Sequence, residues 1–384
     1  MILACGHKTA QTKAEHSLIV EKTDPLVKVG ADQLDRLLPL INNKRIALVV
    51  NHTAMVGNTH LVDTLLKKGI TIKKIMAPEH GFRGRADAGE TVKDGADTKT
   101  GLPIVSLYGN NKKPTQEQLS DVDVVVFDIQ DVGVRFFTYI STLHYVMEAC
   151  AENGKPVIVL DRPNPNGDYV DGPVLQAEHK SFVGMHTIPV VHGMTIGEYA
   201  RMINGQGWIN GNCALEVIPL QNWKHGDVYA LPHKPSPNLP NDHAIRLYPS
   251  TCLFEGTVIS VGRGTQMPFE VVGHPDLKNM PFSFTPLSIE GMSKNPPFEN
   301  KVCYGLDLQK VSVKKQLDLS YLIQLYQAYP DKEKFFIPYF EKLVGTSLLR
   351  EQIKSGMSEA AIRKTWEADL KTFMDIRKKY LLYP

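Results

Sequence analysis

The amino-acid sequence predicts an α/β protein with two lobes. Its first half contains continuous apolar runs, typical of strands buried on both faces of a parallel sheet, at 45–50, 70–76, 122–128 and 156–160. Segments with the helical spacing of apolar residues separate these runs. The chain has 384 residues, whereas single hydrophobic cores stop growing at about 250–300 residues. We therefore expect a Rossmann-like parallel-sheet lobe followed by a smaller α+β C-terminal lobe.

The first elements of the chain alternate as this fold requires. A helical segment at 32–41, which Asp32 could cap, precedes the strand at 45–50. A helix at 59–68 then leads to the strand at 70–76. A strand, a helix and a second strand in this order are expected to form a right-handed parallel unit.

The same alternation continues to about residue 204. A short strand at 103–109 and a helix at about 136–153 flank the strand at 122–128. The last helix of the lobe begins with Thr195 as its cap and Glu198 three residues later, which is the spacing of a capping box.

Beyond this helix the pattern changes to scattered strands and longer helical segments. The expected elements are strands at 215–218 and 257–261, and helices at 316–329, 345–354 and 358–380. We predict a tether at 1–25, a Rossmann-like catalytic domain at 26–215, and an α+β domain at 216–384 that completes the cleft.

Composition excludes several classes of function. The formal net charge is only +2, which argues against binding nucleic acid or a membrane surface through bulk charge. No window of about 18 apolar residues is present, so no membrane span is expected. The sequence lacks the glycine-rich patterns of dinucleotide and nucleoside triphosphate sites, and its cysteines lack metal-ligand spacing. We therefore predict neither a cofactor nor a metal.

The first residues of the chain suggest a location in the cell envelope. A short apolar segment ending at Cys5 precedes a polar run, which resembles the end of a bacterial lipoprotein signal with Cys5 as the lipidated residue. The alternative is an ordinary N-terminus with a chance cysteine. We expect a periplasmic or lipid-anchored protein.

Acidic residues follow three of the predicted strands. They are Glu79, Asp128 with Asp131, and Asp161. If these strands are parallel neighbours, their carboxyl ends bring the acids to one rim of the sheet. Each acid has an arginine near it in sequence, and these are Arg83, Arg135 and Arg162. A polar cleft and a buried ion-pair network are both consistent with this pattern.

Neighbouring residues suit a sugar ligand. The ring of Tyr139 could face the apolar side of a pyranose, and Gln130, Asn164 and Asn166 could bind hydroxyl or amide groups. Turn chemistry around the adjacent prolines is the alternative for the two asparagines. A metal site made from His52, His80 and the aspartates is conceivable, but the histidines lack specific spacing.

Several motifs together resemble one family. They are Pro-Glu-His-Gly-Phe-Arg-Gly at 78–84, Phe-Asp-Ile-Gln-Asp-Val-Gly at 127–133, Leu-Asp-Arg-Pro-Asn-Pro at 160–165, Leu-Phe-Glu-Gly-Thr at 253–257 and Gly-Arg-Gly-Thr at 262–265. With these motifs in unbroken order, the chain resembles the bacterial exo-β-N-acetylmuramidases, which are peptidoglycan hydrolases. The resemblance implies a cleft that removes N-acetylmuramic acid from the non-reducing end of peptidoglycan-derived saccharides.

Glycoside hydrolysis usually needs a carboxylic acid and a second carboxylate. Glu79 is our predicted acid, because a loop after a buried strand could desolvate it and keep it protonated. For the second group we rank Asp128 first, Asp131 next and Glu255, from the other lobe, third. The arginine that binds the lactyl carboxylate of the sugar is expected to be Arg83, Arg135 or Arg263. The full predicted substrate-binding set is His80, Arg83, Gln130, Arg135, Tyr139, Asp161, Arg162, Asn164, Asn166, Glu255 and Arg263.

Two other functions are consistent with residues of these motifs and their neighbours. A non-catalytic lipoprotein that binds muropeptides would need the arginine, asparagine and aromatic contacts but no acid catalyst. A metal-assisted hydrolase would instead use His52, His80 and the aspartates.

Overall fold

The computed structural model of this chain describes residues 26–79, 81–82 and 94–384. The predicted tether with Cys5, the residues His80 and Arg83, and the segment 84–93 lie outside the described residues.

The secondary structure alternates in the first half of the chain and becomes mainly helical towards the end. The strands are β1 (Arg45–Val50), β2 (Met55–Val56), β3 (Thr59–His60), β4 (Thr71–Ala77), β5 (Gly95–Ala96), β6 (Pro103–Ser106), β7 (Val124–Asp128), β8 (Val157–Leu160), β9 (Asp171–Val174), β10 (Pro189–Val191), β11 (Leu215–Ile218), β12 (Val271–His274), β13 (Phe282–Phe284) and β14 (Cys303–Asp307). The α-helices are α1 (Leu34–Ile41), α2 (Leu61–Lys67), α3 (Gln116–Leu119), α4 (Tyr139–Glu152), α5 (Ile196–Gly205), α6 (Asp242–Thr251), α7 (Ser320–Ala328), α8 (Phe340–Val344), α9 (Leu348–Lys354), α10 (Glu359–Lys364) and α11 (Glu367–Arg377).

The main sheet has the doubly wound arrangement that the sequence predicts. Within the described residues its strand order is β11-β8-β7-β1-β4-β6-β5. All neighbouring pairs are parallel except β5 and β6, which are antiparallel. The Rossmann-like first lobe is therefore confirmed. The three acid-bearing strands are not consecutive neighbours, however, because β1 lies between β4 and β7.

Alternate residues of the central strands face two different cores. In β7, Val125 and Phe127 belong to the core that also contains residues of α4 and α5. Val124 and Val126 belong to the core on the opposite face, with residues of α1 and α2. Burial on both faces explains the continuous apolar runs in the sequence. The first of these cores continues into the C-terminal region, so the two lobes share one packed interior.

The predicted lobe boundary at residue 215 falls inside a strand of the main sheet. β11 pairs in parallel with β8 and forms one edge of the sheet. A short apolar run predicts a strand but does not specify which sheet the strand joins, and for this reason β11 was assigned to the wrong lobe. The C-terminal region has its own antiparallel sheet of order β12-β14-β13, together with α7 to α11.

In the C-terminal region one predicted strand is wrong and one helix was not predicted. The segment at 257–261 makes only isolated bridges, from Thr257 to Phe336 and from Ser260 to Gly273, and forms no strand. Helix α6 was not predicted, because it contains Pro249, and a proline normally disfavours a helix interior.

Of the two helix caps predicted in the first lobe, Asp32 ends a short 3₁₀ turn rather than capping α1. The capping box of Thr195 and Glu198 is present as predicted.

No helix in the described part of the chain combines the length and apolar character that crossing a membrane requires.

Candidate active site

A cavity of about 470 Å³ lies where the C-terminal ends of β4 and β6 meet the second lobe. Its lining residues are Glu79, Tyr108, Phe136, Phe137, Thr138, Tyr139, Phe182, Val183, Ser236, Leu239, Tyr248, Glu255, Arg263, Phe269, Ser293, Asn295, Pro297 and Tyr339. Parallel sheets of this kind bind ligands at the carboxyl ends of their strands. The position of the cavity therefore follows from the topology of the sheet.

The cavity has an aromatic floor and a polar, exposed rim. Tyr139 and Phe269 are almost fully buried, whereas Asn295 and Pro297 are exposed. Edge-to-face contacts fix the floor, with ring centroids 4.9 Å apart for Phe137 and Tyr139. Aromatic faces beside polar groups suit a sugar ring, which has an apolar face and a periphery of hydroxyl groups.

Glu79 lies on this cavity, two residues beyond the end of β4. The hydroxyl of Tyr108 donates a hydrogen bond to its Oε1 atom at 3.0 Å, and the hydroxyl of Thr138 donates to Oε2 at 3.1 Å. Burial and the nearby Glu79 carboxylate raise the pKa of Tyr108 well above its ordinary value, so its hydroxyl remains a donor. Both carboxyl oxygens of Glu79 are thus oriented by side chains of the first lobe.

A second carboxylate reaches the cavity from the other lobe. Glu255 accepts a hydrogen bond at Oε1 from Arg263 Nε at 2.7 Å, and the side chains of Glu255 and Arg263 are 25% and 20% exposed. The guanidinium group of Arg263 also lies over the ring of Phe269, 5.1 Å from its centroid. Its Nη1 atom is buried and has no hydrogen-bond partner among the described residues. This side of the cavity therefore carries an ion pair and an unsatisfied donor.

The structure does not place Asp128 on the cavity. It is fully buried at the last position of β7, where Arg162 contacts its two carboxyl oxygens at 2.5 and 2.9 Å through Nε and Nη2. Arg162 lies two residues beyond the end of β8, which is the neighbour of β7, so the pair joins two adjacent strand ends. The prediction that Asp128 shares a cleft with Glu79 is therefore wrong, and the buried ion-pair alternative describes this pair correctly.

Asp161 and Asp131 are also buried away from the cavity lining. Asp161 accepts hydrogen bonds from the Thr195 hydroxyl at 2.7 Å and from the Gly197 amide at 2.8 Å, and so anchors the start of α5. Asp131 accepts a hydrogen bond from the Gly133 amide at 2.7 Å. The two acids therefore hold backbone amides inside the protein and do not face the cavity.

Most of the predicted polar substrate contacts bind the protein backbone instead. Arg135 is fully buried and donates to the carbonyl groups of Pro173, Ile188 and Leu343. The side-chain amides of Gln130, Asn164 and Asn166 likewise donate to backbone carbonyls. Of the predicted substrate-binding residues within the described part of the chain, those lining the cavity are Tyr139, Glu255 and Arg263.

The buried state of Asp131 leads to a prediction about pH. Burial raises its pKa to about 7, from an ordinary value of about 3.9, and burial lowers the pKa of the nearby His192 to about 3, so that the imidazole is neutral. Because the folded protein holds the Asp131 proton more tightly than the unfolded chain does, the contribution of Asp131 to the free energy of unfolding is highest below about pH 4 and falls as the pH rises to about 7. We expect Asp131→Asn to remove roughly 1 kcal/mol of this loss per pH unit.

The measurement is urea unfolding at pH 6 and pH 7.5. This interval reduces the contribution of Asp161, whose pKa is raised by burial to about 6. Asp375→Asn, at a side chain that is 64% exposed, is the control and should keep the pH dependence of the parent. If the free energy of unfolding changes by the same amount between pH 6 and pH 7.5 in the parent and in Asp131→Asn, Asp131 does not cause the loss of stability.

Sequence reasoning missed Thr138 and the rim residues at 293–297, which belong to no motif. The sequence also did not indicate Tyr108 as a partner of Glu79, although its position two residues after β6 places it next to that acid. Among the described residues, no group of three or more histidine, cysteine, aspartate or glutamate side chains could hold a metal ion. His52 contacts the carbonyl oxygen of Lys234 at 2.7 Å.

Comparison with known proteins gives a consistent result over the whole chain. The family model described as exo-beta-N-acetylmuramidase NamZ, N-terminal, matches residues 46–243, and the corresponding C-terminal model matches residues 246–383. The first match ends at residue 243 and the second begins at residue 246. The boundary between them therefore lies in the first turn of α6, well beyond β11. The chain is also 40% identical over 410 aligned residues to the peptidoglycan beta-N-acetylmuramidase NamZ of Bacillus subtilis (strain 168), covering 100% of this chain and 97% of that protein.

Two crystal structures of DUF1343 family proteins from Bacteroides fragilis NCTC 9343 have the same fold. The first is 47% identical, with a TM-score of 0.87 over 94% of this chain and 99% of that chain. The second is 30% identical, with a TM-score of 0.78 over 93% of this chain and 99% of that chain.

Proposed function

Because the chain belongs to the exo-β-N-acetylmuramidase NamZ family, we propose that it is a glycosidase that releases N-acetylmuramic acid from the non-reducing ends of peptidoglycan fragments. One observation carries the assignment of its active site: Glu79 from the first lobe and Glu255 from the second line the same cavity. Two carboxyl groups facing one sugar-sized space are the usual requirement of glycoside hydrolysis. The cavity volume of about 470 Å³ falls within the range of small-ligand sites.

We assign different roles to the two carboxyl groups. Glu79 acts as the general acid and protonates the glycosidic oxygen, in an orientation that Tyr108 and Thr138 hold from both sides. Glu255 replaces Asp128 as the second carboxylate, since its ion pair with Arg263 suits an anionic role. As the glycosidic bond breaks, positive charge develops at the anomeric carbon, and the Glu255 carboxylate stabilises it by its negative charge. A water molecule then forms a bond to that carbon and loses a proton, which completes the hydrolysis.

Arg263 supports a second part of the proposal, which concerns substrate choice. Its Nε atom serves Glu255, while the buried Nη1 atom has no partner among the described residues. The Arg263 side chain also lines the cavity and is 20% exposed, so a carboxylate of the substrate can contact the exposed part of its guanidinium group. N-acetylmuramic acid differs from N-acetylglucosamine by a lactyl carboxylate. We therefore assign Arg263 to the recognition of that group.

Replacing Arg263 by lysine tests this assignment. An ammonium group can contact Glu255 or the substrate carboxylate, but it lacks the planar fork that reaches both. Losing one hydrogen bond to a charged group costs about 1.5–3 kcal/mol, so we expect kcat/KM for a β-N-acetylmuramide to fall by about 10- to 100-fold. The measurement compares this substrate with the matching β-N-acetylglucosaminide in the parent and in Arg263→Lys.

The ratio of the kcat/KM values for the two substrates distinguishes the two roles of Arg263. Loss of support for Glu255 would lower both rates by the same factor, whereas loss of carboxylate recognition lowers only the muramide rate. Lys310→Arg, at an exposed position outside the cavity lining, is a control of similar chemistry and should leave the ratio unchanged. An unchanged ratio in Arg263→Lys would remove Arg263 from substrate discrimination.

The overall function is tested with the parent protein. We expect it to release free N-acetylmuramic acid from a chromogenic β-N-acetylmuramide and from a disaccharide that carries this sugar at its non-reducing end. Mass spectrometry of the products identifies the bond that is cleaved. Tight binding of the disaccharide without any release of sugar would instead support the non-catalytic muropeptide-binding alternative.

A further inference from the structure

We propose that Cys252 is a positioning residue, which acts through Glu255 to hold the second carboxylate in its reactive orientation. The inference depends on the proposed role of Glu255. The Cys252 thiol donates to Glu255 Oε2 at 3.5 Å, while Arg263 Nε donates to Oε1 at 2.7 Å. Each oxygen of the carboxylate thus has its own donor. Both oxygens turn together about the last side-chain bond, so the second hydrogen bond narrows the range of orientations that Arg263 alone would allow the carboxylate.

The backbone that carries both residues is rigid. Cys252 and Glu255 are three residues apart in one 3₁₀ turn, Cys252–Gly256, which continues directly from α6. Side chains at this spacing lie on the same face of such a turn. At the end of the turn, a Cβ atom on Gly256 would lie 2.4 Å from the Cα atom of Phe340, so the turn packs directly against α8. The thiol and the carboxylate are therefore held at a fixed separation.

The thiol acts on Glu255 from behind the cavity. Cys252 is only 1% exposed and is not among the lining residues, whereas Glu255 is. Cys252 therefore does not touch the substrate. Burial raises the pKa of the thiol well above its ordinary value, which keeps the proton available for donation. The hydroxyl of Tyr248, which lines the cavity one helical turn earlier, also interacts with this thiol.

The other described cysteines provide a comparison. Cys213 and Cys303 are also buried, but their sulfur atoms face the backbone carbonyls of Ala214 and Lys301 at 3.8 and 3.9 Å. Buried cysteine usually serves as a small apolar side chain. Cys252 differs from Cys213 and Cys303 because its partner is a carboxylate of the cavity. Cys303, in strand β14, is therefore a matched control for the loss of a buried thiol.

The experiment compares Cys252→Ala with Cys303→Ala on a chromogenic β-N-acetylmuramide. We expect Cys252→Ala to lower kcat by about three- to tenfold with little change in KM, because a thiol is a weak donor and a typical hydrogen bond contributes about 0.5–1.5 kcal/mol. Cys303→Ala should keep the kcat of the parent, and thermal unfolding should show similar stability losses for the two variants. Cys252→Ser, which keeps a donor, should recover most of the lost kcat. Cys252→Val, which fills the space without a donor, should not.

Three results would overturn the inference or its basis, and they can be told apart. If Cys252→Ala and Cys303→Ala have the same kcat, Cys252 has no role in positioning. If Cys252→Val performs as well as Cys252→Ser, packing rather than hydrogen bonding is what matters at this site. If Glu255→Gln retains the activity of the parent, the proposed role of Glu255 is wrong, and the inference fails together with it.

Discussion

Glu79→Gln is expected to lower kcat on a muramyl disaccharide by about 10³-fold while the protein still binds it, because general acid catalysis contributes about 10²- to 10⁴-fold. Glutamine has the shape of glutamate and can still contact Tyr108 and Thr138, which donate to the two oxygens of Glu79. What it lacks is a proton of suitable acidity for the leaving oxygen. The measurement is steady-state kinetics on the disaccharide, with binding followed by calorimetry.

A change of leaving group separates an acid catalyst from a residue that only shapes the site. A good leaving group such as a dinitrophenolate departs without protonation, so an enzyme that has lost its acid should recover much of its rate on an activated aryl muramide. We expect a much smaller defect in Glu79→Gln on that substrate than on the disaccharide. Glu351→Gln, at an exposed position on α9, is the matched control. Equal defects on both substrates would contradict the acid assignment.

Much of the fold can be predicted from the sequence because its signals are local. The strand predicted at 45–50 is β1 with the same bounds, since every residue after the first is buried. The capping box at the start of α5 depends only on Thr195 and Glu198, four positions of contiguous sequence. Long apolar runs separated by helices were enough to indicate a parallel sheet. The order of strands within that sheet is not local, and β1 between β4 and β7 was not expected.

The site was predicted less well, for a reason that Glu79 and Asp128 illustrate. Both acids follow apolar runs, but Asp128 is the last residue of β7 itself, whereas Glu79 stands two residues beyond the end of β4. A side chain within a central strand is enclosed by its neighbours, and a charge there needs a partner, which Arg162 supplies from just beyond the end of β8. Glu79, beyond the end of its strand, reaches the cavity, but Asp131, three residues beyond β7, is buried, so distance from the strand end does not by itself decide which acid reaches the cavity. The exact end of a strand is what sequence patterns locate least reliably.

Glu255 illustrates a second limit. Its carboxylate meets the cavity only because the second lobe packs against the carboxyl ends of the strands, and the shared core that joins the lobes includes Phe254 and Phe340. A local sequence pattern does not predict which residues of the second lobe will contact the cavity. Arg263 was named as one of three arginines for the substrate carboxylate. Of the two whose side chains are described, only Arg263 lies on the cavity, since Arg135 is used to bind carbonyl groups.

Asp128→Asn should chiefly lower stability and leave the chemistry intact. The carboxylate is fully buried and its partner Arg162 is 5% exposed, so the substitution leaves an arginine in the interior without its counter-charge. Breaking a buried pair by removing one partner costs about 3–5 kcal/mol, because the remaining charge is neither solvated nor neutralised. The remaining contact of Arg162 to the carbonyl oxygen of Met55, at 3.3 Å, cannot replace an anion. Urea unfolding measures the loss.

Asp123→Asn is the matched control, because Asp123 also forms an ion pair with an arginine beside the same strand. Arg45 and Asp123 are 49% and 37% exposed, however, and such surface pairs contribute little to stability. Because Asp123 also accepts a hydrogen bond from the Arg45 backbone amide at 2.8 Å, we expect Asp123→Asn to cost at most about 1 kcal/mol, well below the loss in Asp128→Asn. The folded fraction of Asp128→Asn should hydrolyse the muramide within about threefold of the parent rate, which is far less than the loss expected on removing a catalytic group. A stable Asp128→Asn protein with kcat reduced by several hundredfold would show that Asp128 takes part in catalysis. Glu255 would then be a residue of the binding site only.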